Sequence, residues 1–345
     1  MKKKLLLGLL AAAAVSFTAC QKNEVISEMP QDNAISFNTY LGRGAQTKGS
    51  IVELDQLKTR GFGVFAYYTE QKTMSAYASD PGIPAIPNFM NNVQVTFDTD
   101  AWKYTGTKYW PKNETEKLSF YAYGPYDNAN GNAISIDATS KKPVLTYTVN
   151  ENISEHMDVL FTPAQEDKTV TNKNEVMAFV HALSRVEFEV KTADTYSDYT
   201  MNLTSVTLSG SIHPSGTLAL GGNTANWDKA TAETKSFSIA DDREITASAR
   251  RVEATQGTPD YIMILPQDFT GTGNELNLNV KYSVKCLSES AVSNDVDKKV
   301  SINLEQGKAY KIIINISMDE VTFTASMTSW DENHAGFTTG TPVEI

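Results

Sequence analysis

From about residue 30 onward, short runs of alternating apolar and polar residues are separated by glycine, asparagine and proline. Such runs, rich in Val, Ile, Tyr, Phe and Thr, predict half-buried antiparallel strands rather than helices. The expected strands begin with AISFNTY (34–40), GFGVFAYYT (61–69), VQVTF (93–97), KLSFYAYG (117–124) and PVLTYTV (143–149). They continue with VMAFVHALSRVEFEVK (176–191), SVTLSG (205–210), DYIMILP (260–266), ELNLNVKYSVKCL (275–287), KVSINL (299–304) and AYKIIINISM (309–318). Only TEQKTMSAYAS (69–79) and the HALSR turn have weak helical character, and neither carries caps and periodicity over more than two turns.

Many short strands without alternating helical segments predict an all-β chain of two tandem β-sandwich domains. The polar stretch AQEDKTVTNKNE (164–175), which lacks aromatic residues, predicts a boundary near residue 168. The domains would then be 21–168 and 169–345, although a long hairpin loop would have the same composition.

The N-terminus breaks the alternating pattern. Lys2, Lys3 and Lys4 precede the apolar run LLLGLLAAAAVSF and then Thr18-Ala19-Cys20, so residues 1–20 read as a secretory signal. The run is too short for a bilayer span, which needs about 20 apolar residues. Cleavage would leave Cys20 at the new N-terminus, an arrangement that resembles the lipobox of bacterial lipoproteins, with Phe17 where leucine is usual. Lipidation of Cys20 would then be the attachment to the membrane. Loss of the three lysines takes the net charge from −11 to −14, which excludes a nucleic-acid partner of the ordinary basic-surface kind. Cys286, the second of two cysteines, then has no intramolecular partner and reads as a small apolar residue in a strand.

No catalytic constellation is visible, and the chain is expected to be non-enzymatic, without cofactor or metal. The four histidines, at 156, 181, 213 and 334, show neither HExxH nor an i, i+4 pair. His181 reads as orienting a strand turn through hydrogen bonds, with no acidic partner evident nearby in sequence. GRGAQTKGS (42–50) lacks the GK-Ser/Thr order of a phosphate loop, and no GxSxG elbow occurs. Ser215 in HPSGT reads as a turn serine. Asp98 with Asp100 and Asp295 with Asp297 read as solvated loop charges, without the EF-hand pattern. Tyr67, Tyr68, Tyr121, Tyr123 and Tyr126 could stack on sugars, but their spacing assigns at least half of them to sheets.

Four blocks stand in order along the chain: GFGVFAYYT (61–69), YWPKNETEKLSFYAYGP (109–125), DVLFTP (158–163) with FVHALSRVEFEV (179–190), and QGKAYKIIINISM followed by VTFTASMTSW (321–330). Together they resemble the fimbrillin superfamily of Bacteroidetes surface lipoproteins. The resemblance implies sandwich domains of transthyretin-like topology, outer-membrane display, and assembly into pili with other subunits. In stalk subunits of that family a trypsin-like protease cuts after a basic residue in the first inter-strand loop, removing the lipid and first strand. A neighbour's strand then fills the vacated groove.

AISFNTY has inward candidates Ile35, Phe37 and Thr39, and it is followed by the glycine-rich LGRGAQTKGS. Arg43 is the preferred cut site and Arg60 the second choice, while Lys48 would serve only a protease that accepts lysine. An arginine that is merely a solvated loop cation fits the same residues. The tail after Trp330 could be a closing strand, a mobile tail or a donor strand. The expected function is thus a structural or adhesive pilus subunit, with a host or bacterial surface receptor as a further partner. The alternative is a lipid-anchored monomeric surface protein that binds glycan.

Overall fold

The computed structural model describes residues 33–41, 54–126, 133–172, 176–192, 197–258, 260–286, 288–330 and 341–343. The expected all-β class holds: besides two short helices, α1 (Leu54–Arg60) and α2 (Met74–Ala78), and two 3-10 turns, the regular structure described is strand. The first half contributes β1 (Asn38–Leu41), β2 (Phe62–Glu70), β3 (Met90–Asp98), β4 (Ala101–Lys103), β5 (Lys117–Gly124), β6 (Ala133–Ile136), β7 (Pro143–Thr148), β8 (Leu160–Phe161) and β9 (Gln165–Lys168). Next come β10 (Val176–His181), β11 (Ser184–Thr192), β12 (Tyr199–Ile212), β13 (Ser215–Ala219), β14 (Trp227–Lys229), β15 (Glu233–Ala240), β16 (Arg250–Arg251) and β17 (Ile262–Ile264). The last are β18 (Gln267–Asp268), β19 (Leu276–Cys286), β20 (Val292–Val300), β21 (Asn303–Leu304), β22 (Lys308–Ile316), β23 (Val321–Ser329) and β24 (Thr341–Val343).

Some expectations change. Helix α1 was not foreseen. The polar stretch expected to link two domains carries β9, paired with β5, and a 3-10 turn at Val170–Asn172. Ser215 opens β13 rather than sitting in a turn, and Asp295 and Asp297 lie on β20 rather than in a loop. There both carboxylates accept hydrogen bonds from the Asn279 side chain.

One sheet runs β1-β10-β8-β5-β2-β3-β4, with β9 also on β5. Its central strands are buried on both faces, which explains why their sequences are nearly continuous in apolar residues. Leu118, Phe120 and Ala122 of β5 and Phe62, Val64 and Ala66 of β2 face a smaller core with Trp102 and Trp110. The alternate residues Tyr121, Tyr123, Phe65 and Tyr67 face a larger core that continues to Trp330. Period-2 geometry thus lets one sheet serve two cores.

A second sheet runs β16-β11-β22-β23-β24, with β17 also on β11, and a third runs β15-β12-β19-β20. The fourth, β14-β13-β7-β6, joins strands on both sides of residue 168, and β10, beyond that residue, completes the first sheet. Most large side chains of the second and third sheets line the larger core, including Phe188, Val206, Leu278 and Ile312.

Candidate functional site

Residues 33–41 run along the edge of the first sheet. β1 ends the strand order and pairs in parallel with β10, Asn38 opposite Val176 through Leu41 opposite Phe179. Upstream, the Ile35 N–H donates to Lys108 O at 2.8 Å, and the Tyr104 hydroxyl donates to Ile35 O at 2.9 Å. The Trp110 N–H donates to Asn33 O at 2.8 Å. The segment is therefore laced at its start to the 104–110 loop and at its end to β10.

The three inward candidates share one face. Ile35, Phe37 and Thr39 are 4%, 3% and 6% exposed. The Phe37 ring sits 5.5 Å from Tyr104, 6.1 Å from Phe120 and 6.2 Å from Phe62, in tilted and edge-to-face contacts. Burying a Phe or Ile side chain stabilises by about 1.5–3 kcal/mol each. The seat is imperfect, however: Ser36 Oγ and Thr39 Oγ1 are buried without a hydrogen-bond partner among the described residues. Each such hydroxyl costs about 1–3 kcal/mol.

Cys20 and Arg43, the expected lipidation and processing residues, lie outside the described residues. Arg60 is the last residue of α1, half-buried, with its guanidinium donating to Met157 Sδ at 3.4 Å. Helical backbone is not the extended conformation found in β1, so Arg60 and the β1 segment present different local geometry.

A second assembly, which the sequence reading missed, joins blocks that are distant in the chain. His181 Nδ1 hydrogen-bonds Asp158 Oδ2 at 2.7 Å, so an acidic partner is present after all. The imidazole stacks on Trp330, centroids 4.4 Å apart and planes 2° from parallel. The Arg185 guanidinium lies 5.4 Å from the centre of Trp330 and 4.7 Å from that of Tyr261, with Arg251 6.0 Å from Tyr261. Burial pulls the Arg185 pKa down, against the opposing charge of Glu187. Asp158 and His181 side chains are 0% and 1% exposed, so no solvent-borne substrate reaches them in this conformation. Asp158 lies in DVLFTP, His181 and Arg185 in HALSR, and Trp330 ends the TSW block. Each lies in one of the blocks that carry the family resemblance, which was the available signal.

Elsewhere the chemistry is sparse. Tyr67, Tyr121 and Tyr123 are core residues, while Tyr68 borders a cavity of about 330 Å³ with Lys72, Ile86 and Asn88. Among the described residues no three His, Cys, Asp or Glu side chains gather as a metal site, and no helix is long and apolar enough to cross a membrane.

A model of the fimbrillin-like family matches residues 55–330. Over 192 residues, 52% of this chain, the sequence is 29% identical to the fimbrium subunit Fim1C of Phocaeicola vulgatus. The chain spans about half the length, 49%, of that curated relative. The fold is similar to that of a fimbrial protein from Bacteroides vulgatus, with a TM-score of 0.65 at 20% identity, covering 86% of this chain and 99% of that one. Since the matched region takes in nearly every described strand, and both the buried stack and most of the β1 seat fall within it, this chain belongs to the fimbrillin-like family.

Proposed function

We propose that this chain is a structural or adhesive subunit of a cell-surface fimbria, exported as an outer-membrane lipoprotein through Cys20. A trypsin-like protease cuts after Arg43, removing residues 21–43 together with the lipid-bearing Cys20, and a strand from a neighbouring subunit takes the place of β1. The observation that carries this reading is the edge position of β1, with Ile35, Phe37 and Thr39 inserted on one face of the smaller core. Removing that segment would expose both the β10 ladder edge and apolar pockets, the two elements strand addition requires. The tandem domains 21–168 and 169–345, with transthyretin-like topology, belong to the same proposal. The separate smaller core is in keeping with two domains, while Met177 and Phe179 within that core and the β7–β13 pairing both cross residue 168.

N-terminal sequencing of surface-extracted material tests the processing step. Gly44 at the N-terminus together with SDS-resistant ladders is expected; a chain that begins at Cys20 and runs as a monomer overturns it. Deleting residues 336–345 abolishes the ladders if the tail is the donor strand. β24 pairs with β23, Thr341 opposite Met327, and its side chains are largely exposed, which suits a closing strand that can be exchanged.

A further inference from the structure

His181 ends the strand against which β1 lies, and Trp330 is the residue from which the C-terminal tail departs. These two residues are the face-to-face pair, 4.4 Å apart. Both surroundings are fixed. The Trp330 N–H donates to Gly307 O at 2.8 Å, the Gln306 side chain donates to His181 O at 3.0 Å, and the Trp227 indole N–H donates to Ala182 O at 2.9 Å. Asp158 hydrogen-bonds Nδ1 of the imidazole, and the Arg185 guanidinium lies 5.4 Å from the centre of the indole. The β10 edge and the root of the tail are therefore joined by sealed side chains, along a line that does not pass through the β15-β12-β19-β20 sheet.

The pair also occupies the point where peeling would begin. Ser329, next to Trp330, makes the terminal register pair of the β22–β23 ladder with Lys308. A strand pulled from its end opens its ladder one pair at a time unless that end is held. Trp330 holds it, through stacking and cation–π contacts that fall off steeply with distance and face no competing water.

We infer that the Asp158–His181–Trp330–Arg185 column is a tension-bearing joint. It carries load from the β10 edge directly to the tail and leaves most of the sandwich outside the load path. The inference rests on the proposed polymer, in which a neighbour's strand pulls at β10 and this chain's tail pulls on the next subunit.

Single full-length chains held at constant force in optical tweezers test the joint without requiring assembly. Handles at Thr171→Cys and Thr341→Cys, in a Cys20→Ala, Cys286→Ala background, load the path from the start of β10 to the tail. Handles at Thr234→Cys and Lys299→Cys load the opposite edges of the third sheet instead. After β24 is stripped from β23, Trp330→Leu is expected to shorten the lifetime on the first axis about tenfold and to leave the second unchanged. Asp158→Asn, which keeps the side-chain shape, shortens it in the same direction and decides the matter if Trp330→Leu does not fold. Equal shortening on both axes, or none on the first, overturns the joint. Absence of SDS-resistant ladders would instead sink the polymer reading and leave the force result standing.

Discussion

The Met263 backbone N–H donates to His156 Nδ1 at 2.9 Å, across 107 residues of sequence. Because an amide can only donate and the Asn150 carbonyl, 2.7 Å from Nε2, can only accept, the imidazole is the neutral Nε2–H tautomer. Burial lowers its pKa, with the Asn150 hydrogen bond opposing. A lowered folded-state value means the unfolded chain takes up the proton first. The contribution to stability is therefore complete above the ordinary value of 6.5 and is lost as pH falls through the folded-state value. Urea midpoints measured from pH 7.5 downward should drop for the wild type below about pH 6.5, and this part of the drop should disappear in His156→Gln.

Phe37→Ala should destabilise the chain by about 3–5 kcal/mol, the usual cost of emptying a closed aromatic site. Chemical denaturation reads the loss, and hydrogen exchange at residues 38–41 should quicken with it. An unchanged midpoint would mean that β1 frays independently of the smaller core.

Thr39→Val removes a buried hydroxyl that has no partner among the described residues while keeping the branched shape. A gain of about 1 kcal/mol is expected, read as a higher melting temperature. Because the variant holds β1 more firmly, ladder formation on the proposed assembly route should slow.

Lys141 is 3% exposed, and its ammonium donates to the carbonyls of Tyr77, Ala78 and Asp80 at 3.2, 2.8 and 2.6 Å. These carbonyls lie at and beyond the C-terminal end of α2, where helices leave acceptors unsatisfied and favour positive charge. Lys141→Met should cost about 2 kcal/mol and raise hydrogen exchange in residues 74–80 more than in β5. A uniform rise would instead indicate global destabilisation.

Local pattern made part of this architecture legible. KLSFYAYG coincides with β5, and the Ile35, Phe37, Thr39 alternation identified the face that is buried. Helix α1 escaped notice because LDQLKTR has two apolar residues in seven and tertiary burial of Leu57 does the rest. β20 reads as a loop because VSNDVDKKV carries the charges that protect an exposed sheet edge. The run 176–191 looked like one strand but breaks at Ala182 and Leu183, where the chain passes from the first sheet to the second. The buried column was illegible for a different reason: charge is visible in sequence, whereas the aromatic rings that shelter Arg185 come from positions 261 and 330.

Between Leu41 and Leu54 only twelve residues connect β1 to the rest of the chain. While that connection is intact, β1 behaves as a ligand tethered near its own site at an effective concentration on the order of millimolar. A cut within it turns the same strand into a free peptide at the dilution of the subunit itself. On the proposed processing, a protease would have no need to pull the strand out, because mass action would drain the site for a neighbouring subunit's strand.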